Sequence, residues 1–461
     1  MFETSRLEKA TPKPSTGGPG NFTVIAQSEE EEEAFNYVQF RHGVKFTSVT
    51  GSVAHIVKGA LGGGILSGHV AYMKAGVKVA VPLNVLFGFY MGYCLHLLVQ
   101  SAQTLYKRTR IPSMSYADVG EAALACCPNR RLARFAKVFR HMIDVIICID
   151  LFGACACYHL IIGKSLKQLV ENTIETSMEP LHPGYPSLRV YMACMIVPII
   201  CICLILHLKW LAPFSLAANM TIVFCIIMAI YYAFEYNPNF ENLVGHTSLY
   251  HYLEFVGMTV FSMSCAGVVI PIENNMREPK KFPLALTIGM SLIVICTFLV
   301  SFFGYAGFLE KSEAPITVNF PMTVVALIFK YAVIIMIYIT HALNFWPPFN
   351  LVFHYLKKRH SPERIVLWEL LYRAIFVIII GIVAIIFPNI NALMGFLGTF
   401  CLSNMAFIWP NVINLLVIWE RPGFGQYYWK LWRSIVFILV GIFILFCGSL
   451  VNIMELLTVF Y

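Results

Sequence analysis

The stretch of sequence that decides the fold is HIVKGALGGGILSGH, residues His55–His69, which has five glycines within ten residues of a hydrophobic segment. Two of its glycine pairs are four residues apart, a spacing that lets membrane helices pack closely on one face. The consecutive glycines Gly62–Gly64, however, cover most of the helix circumference and cost about 2–3 kcal/mol of helix propensity relative to alanine. Non-helical backbone inside a bilayer is tolerated where it lines a cavity. We therefore predict that this helix is broken at the glycines, with close packing as the alternative.

The composition of the whole chain agrees with a membrane location. Of its 461 residues, 58% are hydrophobic and only 13% are charged, whereas a soluble domain has about 45–50% apolar and about 25% charged residues. A membrane span needs roughly 20 apolar residues. We predict an all-α membrane protein with spans at residues 53–77, 79–106, 139–165, 190–207, 211–232, 252–275, 284–309, 322–345, 370–387, 390–417 and 432–454.

Residues 1–45 differ in composition from the membrane domain, residues 46–461. They are polar and contain the acidic run Glu29–Glu33, so they bury too little apolar surface to fold alone. We predict a disordered tail whose glutamates are solvated; a sorting signal or a site for a cytoplasmic partner is the alternative.

The positions of lysine and arginine between the spans predict the orientation, because positively charged connections stay in the cytoplasm. Alternate connections are rich in these residues, and they are residues 107–140, 275–283, 346–369 and 418–433. The tail is therefore predicted to be cytoplasmic and Tyr461 to lie on the other side. The net charge of +8 is explained by these connections, and no aromatic-interleaved basic patch indicates nucleic-acid binding.

A second break is expected five spans after the first. Span six lies within FVGMTVFSMSCAGVVIPIENNMREPKKFP, Phe255–Pro283, and its centre, Ser262–Gly267, is a run of small residues. Spans one and six thus occupy matching positions in two five-span halves, residues 53–232 and 252–417, with an eleventh span appended. This is the arrangement of secondary transporters built from inverted repeats, whose discontinuous helices bind substrate at mid-membrane.

Three motifs resemble the amino acid/auxin permease family and, within it, the proton-coupled amino acid transporters. HIVKGALGGGIL…AYMKAG is similar to their first-span pattern H-x-x-K-G-x-x-G-T-G. GVVIPIENNMREPKKFP matches the end of their span six, and THALNFWPP, Thr340–Pro348, is similar to T-Y-A-L-Q-F-Y-V-P. The resemblance covers residues 45–455 and implies a LeuT-like fold of eleven helices, a 5+5 inverted repeat plus one helix, that carries small neutral amino acids with protons.

The chain departs from the family pattern at the expected site. The family's threonine between glycines is Gly63 here, and the proline that closes its first motif is His69. In span six, Met263 replaces a phenylalanine, Ser264 replaces an acidic residue and Cys265 replaces a glycine. The lost carboxylate removes one candidate proton carrier. Because the thiol adds bulk, we expect a preference for the smallest substrates.

The resemblance also implies the residues of the substrate site. The backbone of the first break would hold the carboxylate and amine of the substrate, and the centre of span six would form the opposite wall. The residues concerned are Gly62, Gly63 and Gly64 in span one, and Ser264, Cys265 and Gly267 in span six.

Ionisable residues at membrane depth are functional candidates by default, because burying them is expensive. His55 matches the family's first-span histidine, which is associated with proton coupling, and an unperturbed imidazole titrates near neutral pH; a hydrogen-bonded structural histidine is the alternative. Lys58 is expected to snorkel or pair, and Glu273 to make a structural contact near the inner gate. Lys330 fits a charge pair or a cavity position, and His69 either faces the outer vestibule or fills the place of the proline.

Other functional classes find no support in the sequence. No catalytic constellation, phosphate-binding loop or metal-ligand spacing occurs, so neither an enzyme nor a cofactor is predicted. Thr340 keeps a hydroxyl that a sodium site could use, so proton coupling rests on the resemblance. The alternative to a transporter is an amino acid sensor with little or no flux, favoured by the altered span six and the long tail. The membrane is predicted to be the plasma membrane or a lysosomal or endosomal one.

Overall fold

The computed structural model describes residue 20 and residues 22–41, 46–174, 177–180, 183–206, 214–235 and 240–460. Within these ranges the regular structure is helical, and a single isolated bridge pairs Thr47 with Met276. The predicted all-α class is confirmed. The remainder of the tail, Tyr461 and the connection between spans four and five lie outside the described residues.

Numbered in chain order, the α-helices are α1 Glu29–Ala34, α2 Val49–Ala60, α3 Gly68–Ala75, α4 Val77–Thr109, α5 Tyr116–Ala125, α6 Arg130–Ala133, α7 Ala136–Glu171, α8 Leu188–Cys203, α9 Phe214–Glu235, α10 Leu249–Met263, α11 Ala266–Asn274, α12 Phe282–Phe308, α13 Val324–Leu356, α14 Ile365–Ile386, α15 Ile390–Leu397, α16 Trp409–Ile418, α17 Trp429–Phe443 and α18 Ser449–Leu457.

Each predicted span overlaps a helix in the described part of the chain, and residues 207 and 211–213 of predicted spans four and five lie outside the described residues. In the described residues, eight helical segments are long and apolar enough to cross a membrane, and a ninth span is formed if the bent pair at residues 49–75 counts as one. The helices of predicted spans four and five, α8 and the described part of α9, are apolar but shorter. Helices α7 and α13 share an extensive interface, and α12 packs against α2, α3 and α9.

The first span is broken at the glycines, as predicted. Helix α2 begins after Ser48, whose hydroxyl accepts from the Gly51 amide, and it ends at Ala60. Gly62 has φ −107° and ψ −146°, which is not helical. A short 3₁₀ segment, Gly63–Ser67, then leads into α3, and the two halves of the span are bent by 48°. The bend directs the two half-helices away from a common axis and leaves their inner ends beside the glycines.

The second break is narrower. Helix α10 ends at Met263, Ser264 is extended with φ −72° and ψ 125°, and α11 begins at Ala266. The two breaks meet, because the Ser262 hydroxyl lies 2.8 Å from the Gly64 carbonyl oxygen, to which it can donate. The prediction that both spans are interrupted at facing positions is confirmed.

Residues 22–41 of the predicted tail pack against the membrane domain. This segment contains α1, and Glu32 within it is buried and forms an ion pair with Arg108 at 2.9 Å. The backbone amides of Ile25 and Ala26 donate to the Arg108 carbonyl. Composition missed this contact because the segment folds against the membrane domain, which supplies the buried surface and counter-charge that it lacks alone.

Candidate functional site

A cavity of about 530 Å³ adjoins the break in the first span. It lies between α2, the first break, α7, α9, α11 and α13. Its lining residues are Thr47, His55, Lys58, Gly59, Leu61, Gly62, Gly63, Tyr158, Ile222, Val268, Pro271, Ile272, Asn275, Met336, Ile337, Thr340, Leu343 and Asn344. Thr47 and Asn275, at the start of span one and the end of span six, place its far end beside the connections predicted to be cytoplasmic.

Among the described residues, the cavity wall has basic side chains and no acidic ones. The basic lining residues in the described part of the chain are Lys58 and His55. No hydrogen bond or ion pair of the described residues involves the Lys58 ammonium. Lys58 therefore contributes an uncompensated positive charge to the wall. A carboxylate entering the cavity finds a counter-charge, whereas a second cation does not.

Tyr158 of α7 closes the cavity at the first break. Its hydroxyl accepts a hydrogen bond from the Asn344 side-chain amide at 2.9 Å, and its ring packs directly on Gly63, where an added Cβ would overlap the ring carbons. A Cβ at Gly62 would come 3.1 Å from the tyrosine oxygen. Glycine at both positions lets the ring approach the backbone, which explains why the side chain of the family's threonine has no room here.

The glycines of the first span both interrupt the helix and allow close helix packing, which were the two alternative interpretations of the sequence. Gly59 packs against Val268 of α11, Gly64 against the backbone of Ser262, and Gly68 against Ser301 of α12, each closer than a Cβ would allow. Close packing and the helix break therefore coexist, because the break needs glycine for its backbone and its neighbours need glycine for their approach.

The residues predicted for the substrate site separate into two groups. Gly62 and Gly63 line the cavity together with His55, and Gly64 adjoins it. Ser264, Cys265 and Gly267 do not line this cavity.

The span-six residues have other neighbours. The Cys265 thiol is buried and points at the Met290 sulfur of α12, 3.7 Å away, and Ser264 accepts from the Ala266 amide at 3.4 Å. Gly267 faces Met405. Span six instead contributes Val268, Pro271 and Ile272 of α11 to the cavity wall.

The opposite end of the molecule is closed. His69 is fully buried, and its Nε2 lies 2.9 Å from the Glu313 carbonyl oxygen and 3.2 Å from the Asn319 amide nitrogen. Lys74 of α3 bridges Glu254 of α10 at 2.6 Å. Of the two possibilities for His69, the structure favours a buried structural position over an open vestibule.

The folded tail segment is attached to the end of span six. Arg41 is buried and its guanidinium pairs with Glu273 of α11 at 2.9 Å, and it also donates to the Glu273 carbonyl. Burial and the nearby Glu273 charge raise the pKa of Tyr37 well above its ordinary value, so its hydroxyl stays protonated beside Arg41. Glu273 thus makes the structural contact expected of it, with a partner that lies in the tail.

Two further polar residues of the spans are accounted for by hydrogen bonds. Lys330 is buried in α13 and donates to the Gln168 side-chain oxygen at 3.1 Å. The Thr340 hydroxyl lines the cavity and donates to the Met336 carbonyl at 2.8 Å. The described residues contain no group of three or more side chains placed to hold a metal ion.

The family model for the transmembrane amino acid transporter protein matches residues 45–454. The chain belongs to this family. It is 31% identical to the proton-coupled amino acid transporter-like protein pathetic of Drosophila melanogaster over 405 residues, which cover 86% of this chain and 83% of that protein. It is 23% identical to the amino acid transporter AVT3C of Arabidopsis thaliana over 429 residues, 90% and 93% of the two chains. The family consists of transporters rather than enzymes, which agrees with the lack of a predicted catalytic site.

Sequence reasoning missed four residues of this family member. It did not single out Tyr158, Asn344 or the docked Arg41, because nothing in the local pattern shows which helices meet at the break. It also passed over Asp150 in the middle of span three, although an acidic residue near the centre of an apolar span is itself a readable signal.

Proposed function

We propose that this protein is a proton-coupled secondary transporter of small neutral amino acids that works by alternating access. In this proposal all eleven helical segments cross the membrane in a LeuT-like arrangement, with two five-span halves and one added span. The N-terminus lies in the cytoplasm and the C-terminus on the other side, in the plasma membrane or a lysosomal or endosomal membrane. Membership of an amino acid transporter family supports the substrate class, and the name of the Drosophila relative supports the proton.

The observation that carries the proposal is the cavity at the first break. There α2 ends at Ala60, and Gly62 with the short 3₁₀ segment Gly63–Ser67 separates it from α3, so the regular helical hydrogen bonding is interrupted beside the cavity. Helix termini favour opposite charges, so the interrupted backbone around Gly62–Gly64 suits the carboxylate and the ammonium of a substrate. In this conformation the Gly62 amide donates to the Ala60 carbonyl at 2.8 Å, a contact that a bound substrate would replace. An amino acid backbone presents both groups at the spacing of one residue.

The lining of the cavity favours substrates with uncharged side chains. Beyond the glycines it is mostly apolar, and among the described lining residues Lys58 and His55 are the basic ones, with no acidic partner. A cationic side chain would be desolvated beside a positive charge, which is costly. We therefore infer that alanine, glycine and similar substrates are favoured over lysine and arginine.

The proposed orientation makes this conformation inward-facing. The cavity reaches Thr47 and Asn275 at the end that carries the basic connections, while the other end is closed by the contacts of His69 and Lys74. Transport then requires the His69 contact to open and the end near Thr47 to close around the same glycines.

His55 is the proposed proton-binding residue, because it lies on α2 two turns before the break and lines the cavity. A proton on this imidazole adds positive charge to the wall and favours the state that holds the substrate carboxylate. Release to a more alkaline cytoplasm reverses both. Such coupling needs only a bias of a few kcal/mol between states.

The alternative, an amino acid sensor with little flux, is favoured by one observation. The tail segment is tied to α11 through Arg41 and Glu273, so occupancy of the cavity beside α11 has a physical connection to a cytoplasmic segment. Under the same alternative, the tail would bind a cytoplasmic partner.

The deciding experiment uses purified full-length protein in vesicles and radiolabelled alanine, glycine, leucine, glutamate and arginine, at equal pH and with an acidic exterior. We expect alanine and glycine uptake that rises with the gradient and is insensitive to sodium, with no arginine uptake. Saturable binding without uptake would support the sensor, and arginine uptake equal to that of alanine would overturn the neutral specificity.

A further inference from the structure

Asp150 is an acidic side chain near the middle of span three that the proposed mechanism does not yet use. It lies on α7, about 17 Å along the helix from residue 139, where the predicted span begins. The hydrocarbon core of a bilayer is about 30 Å thick. Asp150 is therefore near the mid-plane of the membrane if α7 crosses it upright.

The carboxyl group lacks the partners that a structural aspartate needs. Its Oδ1 is shielded from solvent and makes no hydrogen bond to the protein, and no ion pair of the described residues includes it. The nearest cation on its own helix, Arg140, is bound to Asp118, Glu121 and Asp144. An unpaired carboxylate at this depth is expensive, so the neutral acid is favoured until water or a counter-charge reaches it.

The titratable groups within electrostatic range of Asp150 are weakly polar. On its own helix they are Cys157 and Tyr158, and from the neighbouring span ten the residue within electrostatic range is Cys401. Cys401 belongs to a π-helical segment, Gly398–Ile408, that joins α15 to α16. Among the described residues no basic side chain forms an ion pair with Asp150, and its buried Oδ1 has no hydrogen-bond partner, so no paired cation holds its ionised form in this conformation.

The surroundings of Asp150 link it to the cavity and to the π-helical segment of span ten. Tyr158 lies two turns further along α7 and packs on Gly63 of the first break. Segments of π-helix are uncommon and frequently occur at functional sites. Gly153, one turn from Asp150, packs on Leu397 more closely than a Cβ would allow, so a shift of span ten alters the space around the carboxyl group.

We propose that Asp150 is a second proton-binding residue of the transport cycle, which supplies the carboxyl group that Ser264 does not. The inference rests on the proposed proton-coupled transport. The carboxylate takes a proton from water on the acidic side and becomes a neutral acid in the closed surroundings. When span ten moves and water enters, the proton returns to water on the alkaline side, so no bond other than O–H is made or broken.

The test compares Asp150→Asn with Asp150→Glu and with Asp144→Asn in proteoliposomes. Asparagine keeps the shape but cannot titrate, glutamate restores the carboxyl group, and Asp144 is the matched control because it is a second aspartate on α7 that sits beside Arg140. Each variant is measured for alanine accumulation under an inward proton gradient, for proton influx with an internal pH dye, and for alanine exchange without a gradient.

We expect Asp150→Asn to lose gradient-driven accumulation and alanine-dependent proton influx by at least about fivefold, the lower end of ordinary coupling effects. Exchange without a gradient should persist, which separates lost coupling from lost folding. Asp150→Glu and Asp144→Asn should keep proton influx. Infrared spectra of the wild type should also show the carbonyl band of a protonated carboxylic acid that Asp150→Asn lacks.

Wild-type proton influx in Asp150→Asn, or no difference in that carbonyl band, would overturn the role of Asp150 while leaving proton-coupled transport intact. A wild type that takes up alanine without proton influx, or that takes up no amino acid, would overturn the coupled mechanism itself and this role with it.

Discussion

The two broken spans resemble each other in position but differ in shape. The first break spreads over Leu61–Ser67, bends the span by 48° and opens onto the cavity. The second interrupts only Ser264 and Cys265, and their side chains turn toward neighbouring residues rather than into the cavity. The difference shows that two breaks at corresponding places along the chain need not contribute equally to one cavity. In this protein Gly62 and Gly63 of the first break line the cavity, and α11 after the second break contributes an apolar wall.

The largest effect is expected where the second half of span six is held. Arg41→Ala leaves Glu273 buried without its counter-charge, and breaking a buried pair in this way costs about 3–5 kcal/mol. A lower midpoint of thermal unfolding, measured in detergent, checks this prediction. The matched control is Lys281→Ala, which removes an exposed pair with Glu278 and should leave the midpoint unchanged; an equal loss in both variants would contradict a special role for Arg41.

A somewhat smaller effect is expected at the first break. Gly63→Ala forces a methyl group against the Tyr158 ring, and overpacking costs about 1–3 kcal/mol, or roughly 5- to 150-fold in substrate affinity if the site bears the strain. Alanine uptake at several concentrations measures the change. Tyr158→Ala removes the ring, so the double variant Gly63→Ala/Tyr158→Ala should lose less than the sum of the two single variants. Simple additivity would mean that the ring and the glycine act separately.

The next prediction concerns proton coupling at His55, which also belongs to the first broken span. His55 lines the cavity through α2, so His55→Ala should abolish the acid stimulation of uptake, a change of roughly 5- to 150-fold for ordinary coupling energies. Uptake at acidic and at neutral external pH measures it. His96 of α4 does not line the cavity, and His96→Ala serves as the control. Full acid stimulation of uptake in His55→Ala would contradict a role for His55 and would leave Asp150 as the one proposed proton-binding residue.

Much of this molecule could be predicted from local pattern. Apolar length located the helices, and the cost of three adjacent glycines located the first break, because both are properties of the chain itself. The partners could not be predicted in the same way. That Tyr158 meets Gly63, that Arg41 reaches Glu273 across 232 positions and that Cys265 turns to Met290 depend on how helices cross. The contact of residues 22–41 with the membrane domain could not be predicted for the same reason, since the surface that it packs on belongs to other helices.

The smallest effect is expected at Cys265, which replaces a glycine of the family pattern. From the sequence, the added thiol predicts a narrower pocket and a broader substrate range in Cys265→Gly. In the structure the thiol is buried against Met290 of α12 and does not line the cavity, so we expect Cys265→Gly to leave the relative uptake of alanine, leucine and phenylalanine unchanged within about twofold, less than the tenfold that 1.4 kcal/mol would give. Val268→Ala is the informative partner, because Val268 lines the cavity and packs on Gly59. Removing its methyl groups should admit larger side chains. If Cys265→Gly broadens the profile and Val268→Ala does not, the wall opposite the glycines is the second break itself, and the two breaks share the substrate more evenly than their shapes indicate.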